Sequence, residues 1–311
     1  MPAARPTGDL DRLIAAAQAW APTPMALATV VSTWGSAPRP RGSHMLVAAD
    51  GRFEGSVSGG CVEGEVMHAA QAVIADGAPR RLRFGVANDM AWSVGLPCGG
   101  EIEILVQPVS AAGFPPGLFG RISAARAQGE TLTLATDLTG GDTRPADAET
   151  GDRFVNAYPP PRRLLIVGAV QIAQSLCGIA RLVDVAPVVI DPRARFLTGD
   201  RFPDAVLDDR WPDEAIAADR PDAATAIVTL SHDPKIDDPA LIAALHSRAG
   251  YIAALGSRRS HASRIERLRA AGFCDADLAR IDAPAGLAIG AIGPAEIALS
   301  IAAGMVRAFR A

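Results

Sequence analysis

Apolar positions recur at helical and at strand periods along this chain, and the order of the two changes character near residue 160. Leu10, Leu13, Ile14 and Ala17 fall on one helical face, which predicts an amphipathic helix over 9–20. ALATVVST (26–33) is short and β-branched and reads as a strand. HMLVAADGRFEGSV predicts a hairpin turning at Asp50-Gly51. EGEVMHAAQAVIADG predicts a helix closed by Gly77, and RLRFGV and EIEILVQPV predict two more strands. A helix near 117–127 and a strand at TLTLAT follow. TGGDTRPADAETGDR is polar and glycine-rich. YPPPRR after it marks a boundary, which divides the chain into domains 1–159 and 160–311.

Beyond the boundary, buried strands alternate with helices. RRLLIVGAV, VAPVVIDPR, AATAIVTLSHD and GYIAALGSRR read as strands, separated by helical QIAQSLCGIARLV and DPALIAALHSRAG. RSHASRIERLRAAG and GPAEIALSIAAGMVRAF complete the pattern as helices, the last with Pro294 and Glu296 in its first turn. Such alternation predicts a parallel sheet covered on both faces. The expected fold class is therefore α/β: a mixed α+β N-terminal domain followed by a Rossmann-like, doubly wound parallel-sheet domain.

Composition narrows the function classes. The chain has 311 residues, 30 basic against 34 acidic, and a net charge of −4. No basic excess points to nucleic acid. The N-terminus carries Asp9, Asp11 and Arg12 before a short apolar run, so it is no secretory signal, and no membrane span is expected. The expected compartment is the cytoplasm, with Cys61, Cys98, Cys177 and Cys274 reduced. Their spacing fits no paired-CxxC zinc site.

Two of those cysteines sit in glycine loops: GSVSGGCVEGE around Cys61, and GLPCGGEIEIL around Cys98 and Gly99. Ser56, Ser58, Gly59 and Gly60 permit backbone N–H groups to converge on an anion, with the following helix adding its positive end. A thiol there serves as a nucleophile or a soft-metal ligand, opposed by Glu63 and Glu65; a small buried cysteine in a tight turn is the plain alternative. Arg39 and Arg41, on the proline loop WGSAPRPRGS, suit a phosphate or are surface charges. Asp89, Glu101 and Glu103 suit the N–H edge of a heterocycle or form one exposed polar face.

In the second half, Gly168 and then Asp191 at the ends of successive strands suggest a dinucleotide fold. The segment GAVQIA departs from GxGxxG: Val170 replaces the second glycine and Ala173 the third. A side chain at 170 obstructs close approach of a pyrophosphate, which counts against NAD(P). Ser257, Arg258 and Arg259 offer either a phosphate site at a helix start or a plain cap with solvated arginines. His232 in Ser231-His232-Asp233 is a candidate proton-transfer group or a turn residue.

WGSAPRPRGSHMLV, GSVSGGCVEGEV and GLPCGGEIEILVQP, followed by LSHDPKIDDPAL, YIAALGSRRSHASRIERL and GLAIGAIGPAEIALSIAA, resemble the XdhC/CoxI family of molybdoenzyme maturation factors. The resemblance implies a carrier and chaperone rather than a turnover enzyme. It would bind the molybdenum cofactor (molybdopterin), hold it during sulfuration by a cysteine desulfurase, and help insert it into xanthine dehydrogenase. Cys61 would meet molybdenum or its sulfur, with Cys98 second; Arg39 and Arg41 would face the cofactor phosphate. An upstream cofactor-biosynthesis protein and a homodimer are also implied, with no nucleic-acid or membrane partner. Two other readings stay open: an NAD(P)-dependent oxidoreductase using the second domain, and a sulfurtransferase carrying a persulfide on Cys61.

Overall fold

A computed structural model describes residues 8–35, 37, 39–85, 100–146 and 153–310. The chain divides into two compact units, Asp9–Pro160 and the part from Pro161 onward.

The first unit opens with helix α1 (Asp9–Trp20), then strands β1 (Met25–Trp34), β2 (His44–Ala48) and β3 (Phe53–Gly55). Helix α2 (Glu63–Asp76), strands β4 (Arg80–Phe84) and β5 (Glu101–Pro108), and helix α3 (Gly117–Ala127) follow. Strands β6 (Leu132–Thr136), β7 (Thr143–Pro145) and β8 (Phe154–Tyr158) close the unit. An antiparallel sheet runs in the order β3-β2-β1-β5-β4, and a second one in the order β7-β6-β8. Alternation along β1 sends Ala26, Ala28 and Val30 against Val66, Ala70 and Val73 of α2. Leu27 faces the other way, among Leu13 and Ile14 of α1 and Phe119 and Ile122 of α3. α1, α2 and the Asp50-Gly51 hairpin lie where periodicity places them. The polar, glycine-rich stretch before the boundary, where the pattern marks no element, contains β7 and leads into β8. Three residues ending in a proline carry too little pattern to announce a strand, and Thr143 is fixed there by a buried bond from Gln107 Nε2 at 2.9 Å.

The second unit begins with strand β9 (Arg162–Val167), helix α4 (Gln171–Leu182), strands β10 (Val185–Ile190) and β11 (Val206–Asp208), and helix α5 (Pro212–Asp219). It continues with β12 (Thr225–Thr229), α6 (Pro234–His246), β13 (Tyr251–Ala254), α7 (Arg258–Ala270), α8 (Asp275–Leu278), β14 (Ile281–Asp282) and α9 (Pro294–Ala308). All pairings in the six-stranded sheet are parallel, in the order β11-β10-β9-β12-β13-β14. That order reverses between β9 and β12, as in a doubly wound dinucleotide fold. Leu164 and Ile166 of β9 pack toward α4 and α9, while Leu165 and Val167 pack toward α5 and α6. Both faces are covered, which is why the strands read as unbroken apolar runs. No described helix is long and apolar enough to cross a membrane.

Candidate functional site

Cys61 is an exposed free thiol at the tip of the loop joining β3 to α2. The loop turns through Gly59 and Gly60 at φ 80° and 122°, a region that penalises any side chain with a Cβ. Its centre is the Glu63 carboxylate, which folds back from the first turn of α2. Ser56 Oγ donates to it at 2.6 Å, the Ser58 amide at 3.0 Å, the Gly60 amide at 2.9 Å and the Val62 amide at 3.2 Å. Ser58 Oγ also donates to Glu63 and accepts the amides of Cys61 (2.9 Å) and Val62 (3.1 Å). The Gly59 amide donates to Ser56 Oγ at 2.9 Å. Every amide from Ser58 to Val62 therefore has a partner inside the loop.

This corrects the expected anion nest. The converging amides are present, but the anion they hold is Glu63. Ser58 is fully buried and supports the loop from within, while Gly59, Gly60 and Cys61 are exposed. Burial alone raises the Glu63 pKa, yet the bonds from Ser56 and Ser58 outweigh it and hold the group at about 2. The sequence signal for this role is an acid at a helix start after a Ser/Gly-rich run. Residue type alone presents that acid only as a charge opposing thiolate formation.

Arg39 and Arg41 diverge. Arg39 pairs with Asp9 of α1, and its Nε donates to the Ser56 carbonyl at 3.3 Å, so it braces the root of the Cys61 loop. Arg41 turns to the other side: Nε donates to the Val31 carbonyl at 3.1 Å and the guanidinium lies 4.6 Å from the Phe154 ring centroid. Both line a cleft of about 250 Å³ with Asp9, His44, Asn156 and Tyr158. His44, which no sequence motif singles out, is tied on both nitrogens. Nδ1 lies 2.9 Å from Thr29 Oγ1, and Nε2 lies 3.0 Å from the Tyr158 hydroxyl and 3.3 Å from Asn156 Nδ2. Burial pushes its pKa down to about 4, so the ring is neutral at pH 7.

Cys98, Gly99 and Asp89 lie outside the described residues. Glu103 meets Arg81 at 2.8 Å and Arg83 at 3.0 Å, while Glu101 is exposed. Among the described residues no group of three or more His, Cys, Asp or Glu side chains is placed to hold a metal ion.

In the second unit, Gly168 at φ 107° is the sharp turn after β9; a Cβ there would lie 2.9 Å from the Ser231 amide nitrogen. Asp191, at the end of β10, is fully buried. It accepts the Ala169 amide at 2.8 Å and three donors of Arg193: the amide and Nε at 2.9 Å, and Nη2 at 2.8 Å. Burial raises its pKa, and the bonds from Arg193 and Ala169 more than reverse that. In a dinucleotide fold an acid here grips the ribose; this one is turned inward. Val170 precedes α4 and supplies no side-chain cap. Ser257 is a helix cap: its Oγ accepts the Ser260 amide at 3.1 Å, and Arg258 beside it is exposed. His232 occupies a left-handed turn at φ 61°.

Residues 164–305 match the XdhC Rossmann domain family, and residues 19–85 match the XdhC and CoxI family. The chain is 29% identical over 280 residues to the molybdenum cofactor insertion chaperone PaoD of Escherichia coli (strain K12), spanning 89% of this chain and 81% of the relative. It is 25% identical over 315 residues to a probable xanthine dehydrogenase subunit of Bacillus subtilis (strain 168), spanning 90% and 92%. The crystal structure of a xanthine dehydrogenase from Bacillus halodurans aligns with a TM-score of 0.80 at 25% identity, over 97% of this chain and 96% of that one.

Proposed function

Because the chain belongs to the XdhC/CoxI family, we propose that it is a molybdenum-cofactor chaperone. On this reading it binds the cofactor, holds it while a cysteine desulfurase supplies the terminal sulfur, and helps insert it into a xanthine dehydrogenase. It acts as a maturation factor, not a turnover enzyme. Its other partners are an upstream cofactor-biosynthesis protein and a second copy of itself, in the cytoplasm.

The observation that carries the reading is the exposed thiol of Cys61 on a loop already complete without cargo. A carrier needs a soft ligand that it gives up again. One accessible thiolate suits molybdenum or its sulfur, whereas a closed multi-thiolate cage would retain metal. The loop amides are taken up by Glu63, so the cofactor phosphate must be met by side chains. Arg39 is joined to the loop through Ser56, and its pair with Asp9 is partly exposed and exchangeable. Arg41 is the second candidate, reached through the cleft it shares with Arg39.

The test is cofactor binding by gel filtration with metal and pterin analysis, on wild type and Cys61→Ala. Stoichiometric cofactor on wild type and a large loss in the variant are expected; unchanged binding overturns the role of Cys61. The same accessible thiol also favours a second reading, a persulfide carrier. Mass spectrometry after incubation with a desulfurase separates the two: persulfide on Cys61 in protein that binds no pterin selects the second.

A further inference from the structure

The carboxyl edge of the parallel sheet holds a concentration of unmet hydrogen-bonding capacity, far in sequence from the chemistry proposed for Cys61. Among the described residues, the buried side-chain nitrogen and oxygen atoms without a partner are Thr229 Oγ1, His261 Nδ1, and Nε and Nη1 of Arg264. They belong to one neighbourhood. Thr229 ends β12, and the Leu255 amide, just after β13, donates to its carbonyl at 2.9 Å. The Leu255 carbonyl in turn accepts Arg264 Nη2 at 3.0 Å. His261 lies one turn before Arg264 on α7.

Orphaned buried polar atoms are rare, and each costs about 1–3 kcal/mol when left unmade. Here three side chains from two elements share the defect. Arg264 is only 5% exposed, and its nearest carboxylate, Asp237, stands off at 3.9 Å. Asp237 is anchored through Oδ1 by Ser231 Oγ at 2.6 Å, and its Oδ2 stays beyond hydrogen-bond reach of the guanidinium. The unused Arg264 N–H groups are donors only. What they lack is acceptor oxygen. Open parallel sheets take ligands at this edge, beside the point where strand order reverses, and Ser231 also abuts the Gly168 turn at that point.

We propose that the carboxyl edge of β12 and β13 binds the oxyanion group of a small molecule, a phosphate or a carboxylate, on Arg264 with Thr229 and His261. The site is independent of Cys61 and of the cofactor reading. The atoms are shielded in the free protein, so binding shifts the turn at Gly256, which already sits at φ 137° beside Ser260 and Arg264. Neither Ser257 nor Arg258 is required.

The probes are inorganic phosphate and acetate, each added to the full chain at constant ionic strength against chloride, with melting temperature and calorimetric affinity as readouts. The expected result is a saturable rise in melting temperature with one probe; which probe acts tells phosphate from carboxylate. Thr229→Val keeps the shape and removes an orphan hydroxyl. It should melt higher than wild type without ligand, and bind the active probe about tenfold more weakly, the scale of one bond to a charged group. Arg264→Gln should abolish the response. No response to either probe overturns the proposal, as does an equal response in wild type and Thr229→Val.

Discussion

The Glu63 carboxylate takes the Gly60 amide at 2.9 Å and the Ser58 amide at 3.0 Å, so the loop bearing Cys61 is organised by a charge of its own chain. Removing that charge should disorganise the loop without touching the thiol. Glu63→Ala is expected to cost about 1–3 kcal/mol by denaturant melting, the scale of leaving donors unmade. Glu63→Gln should cost a similar amount, because its amide nitrogen faces donors. Cys61 should react faster with a bulky maleimide in both variants. A wild-type rate in both would show that the loop holds its shape by other means.

Acid should weaken the first unit in two windows. His44 is lowered from 6.5 to about 4 and Glu63 from 4.5 to about 2. Both bind protons less readily folded than unfolded, so the unfolded chain gains more as pH falls, and stability rises with pH in each window. Loss through His44 begins below 6.5 and is complete below about 4; loss through Glu63 begins below 4.5 and is complete below about 2. Denaturant melts across this range should lose the upper step in His44→Gln and the lower step in Glu63→Gln.

Arg39 and Arg41 should separate in function. Arg39→Ala removes the brace on the Ser56 carbonyl and is expected to weaken cofactor binding about tenfold, as for one bond to a charged group. Arg41→Ala loses its packing on Phe154 and the bond to Val31, so it should lower the melting temperature more than it lowers affinity. Equal losses of affinity would place both guanidiniums on the phosphate.

Asp191 should matter for folding and not for nucleotide. Asp191→Asn breaks a carboxylate that is wholly buried against an arginine that is partly exposed. A cost of about 2–3 kcal/mol is expected, under the roughly 3–5 kcal/mol typical when both partners are buried. NADH fluorescence should show no saturable binding at micromolar levels, and Val170→Gly alone should not restore it, because Asp191 stays engaged. Micromolar binding in wild type would reinstate the oxidoreductase reading.

Much of this architecture was legible because strong periods leave strong signals. The opening helix, the helix from Glu63 to its Gly77 cap and the alternating strands of the second half follow from apolar spacing alone. The elements that escaped, β7, β8, β11, α5, α8 and β14, are short, and the strands among them are held by their neighbours in the sheets rather than by their own pattern. At the site, Cys61 and its glycines were visible as residue types, but the reversal of Glu63 was not. A side chain's direction depends on the path of the loop around it, and that path is closed by Ser56 and Ser58 acting together. Asp191 is evident from its place at a strand end, whereas its capture by Arg193, two residues on, depends on the turn between them.

The internal anion of the Cys61 loop also bears on unloading. A segment that becomes ordered only around its cargo must melt again whenever the cargo departs, and each round of delivery then carries that entropy. This loop meets its ordering requirement once, during folding, with a carboxylate that never leaves. On the proposed reading, arrival and departure of a guest at Cys61 would not require the loop to order and melt, which would leave the handover to be governed by the sulfur contact and by the arginine contacts to the cofactor phosphate.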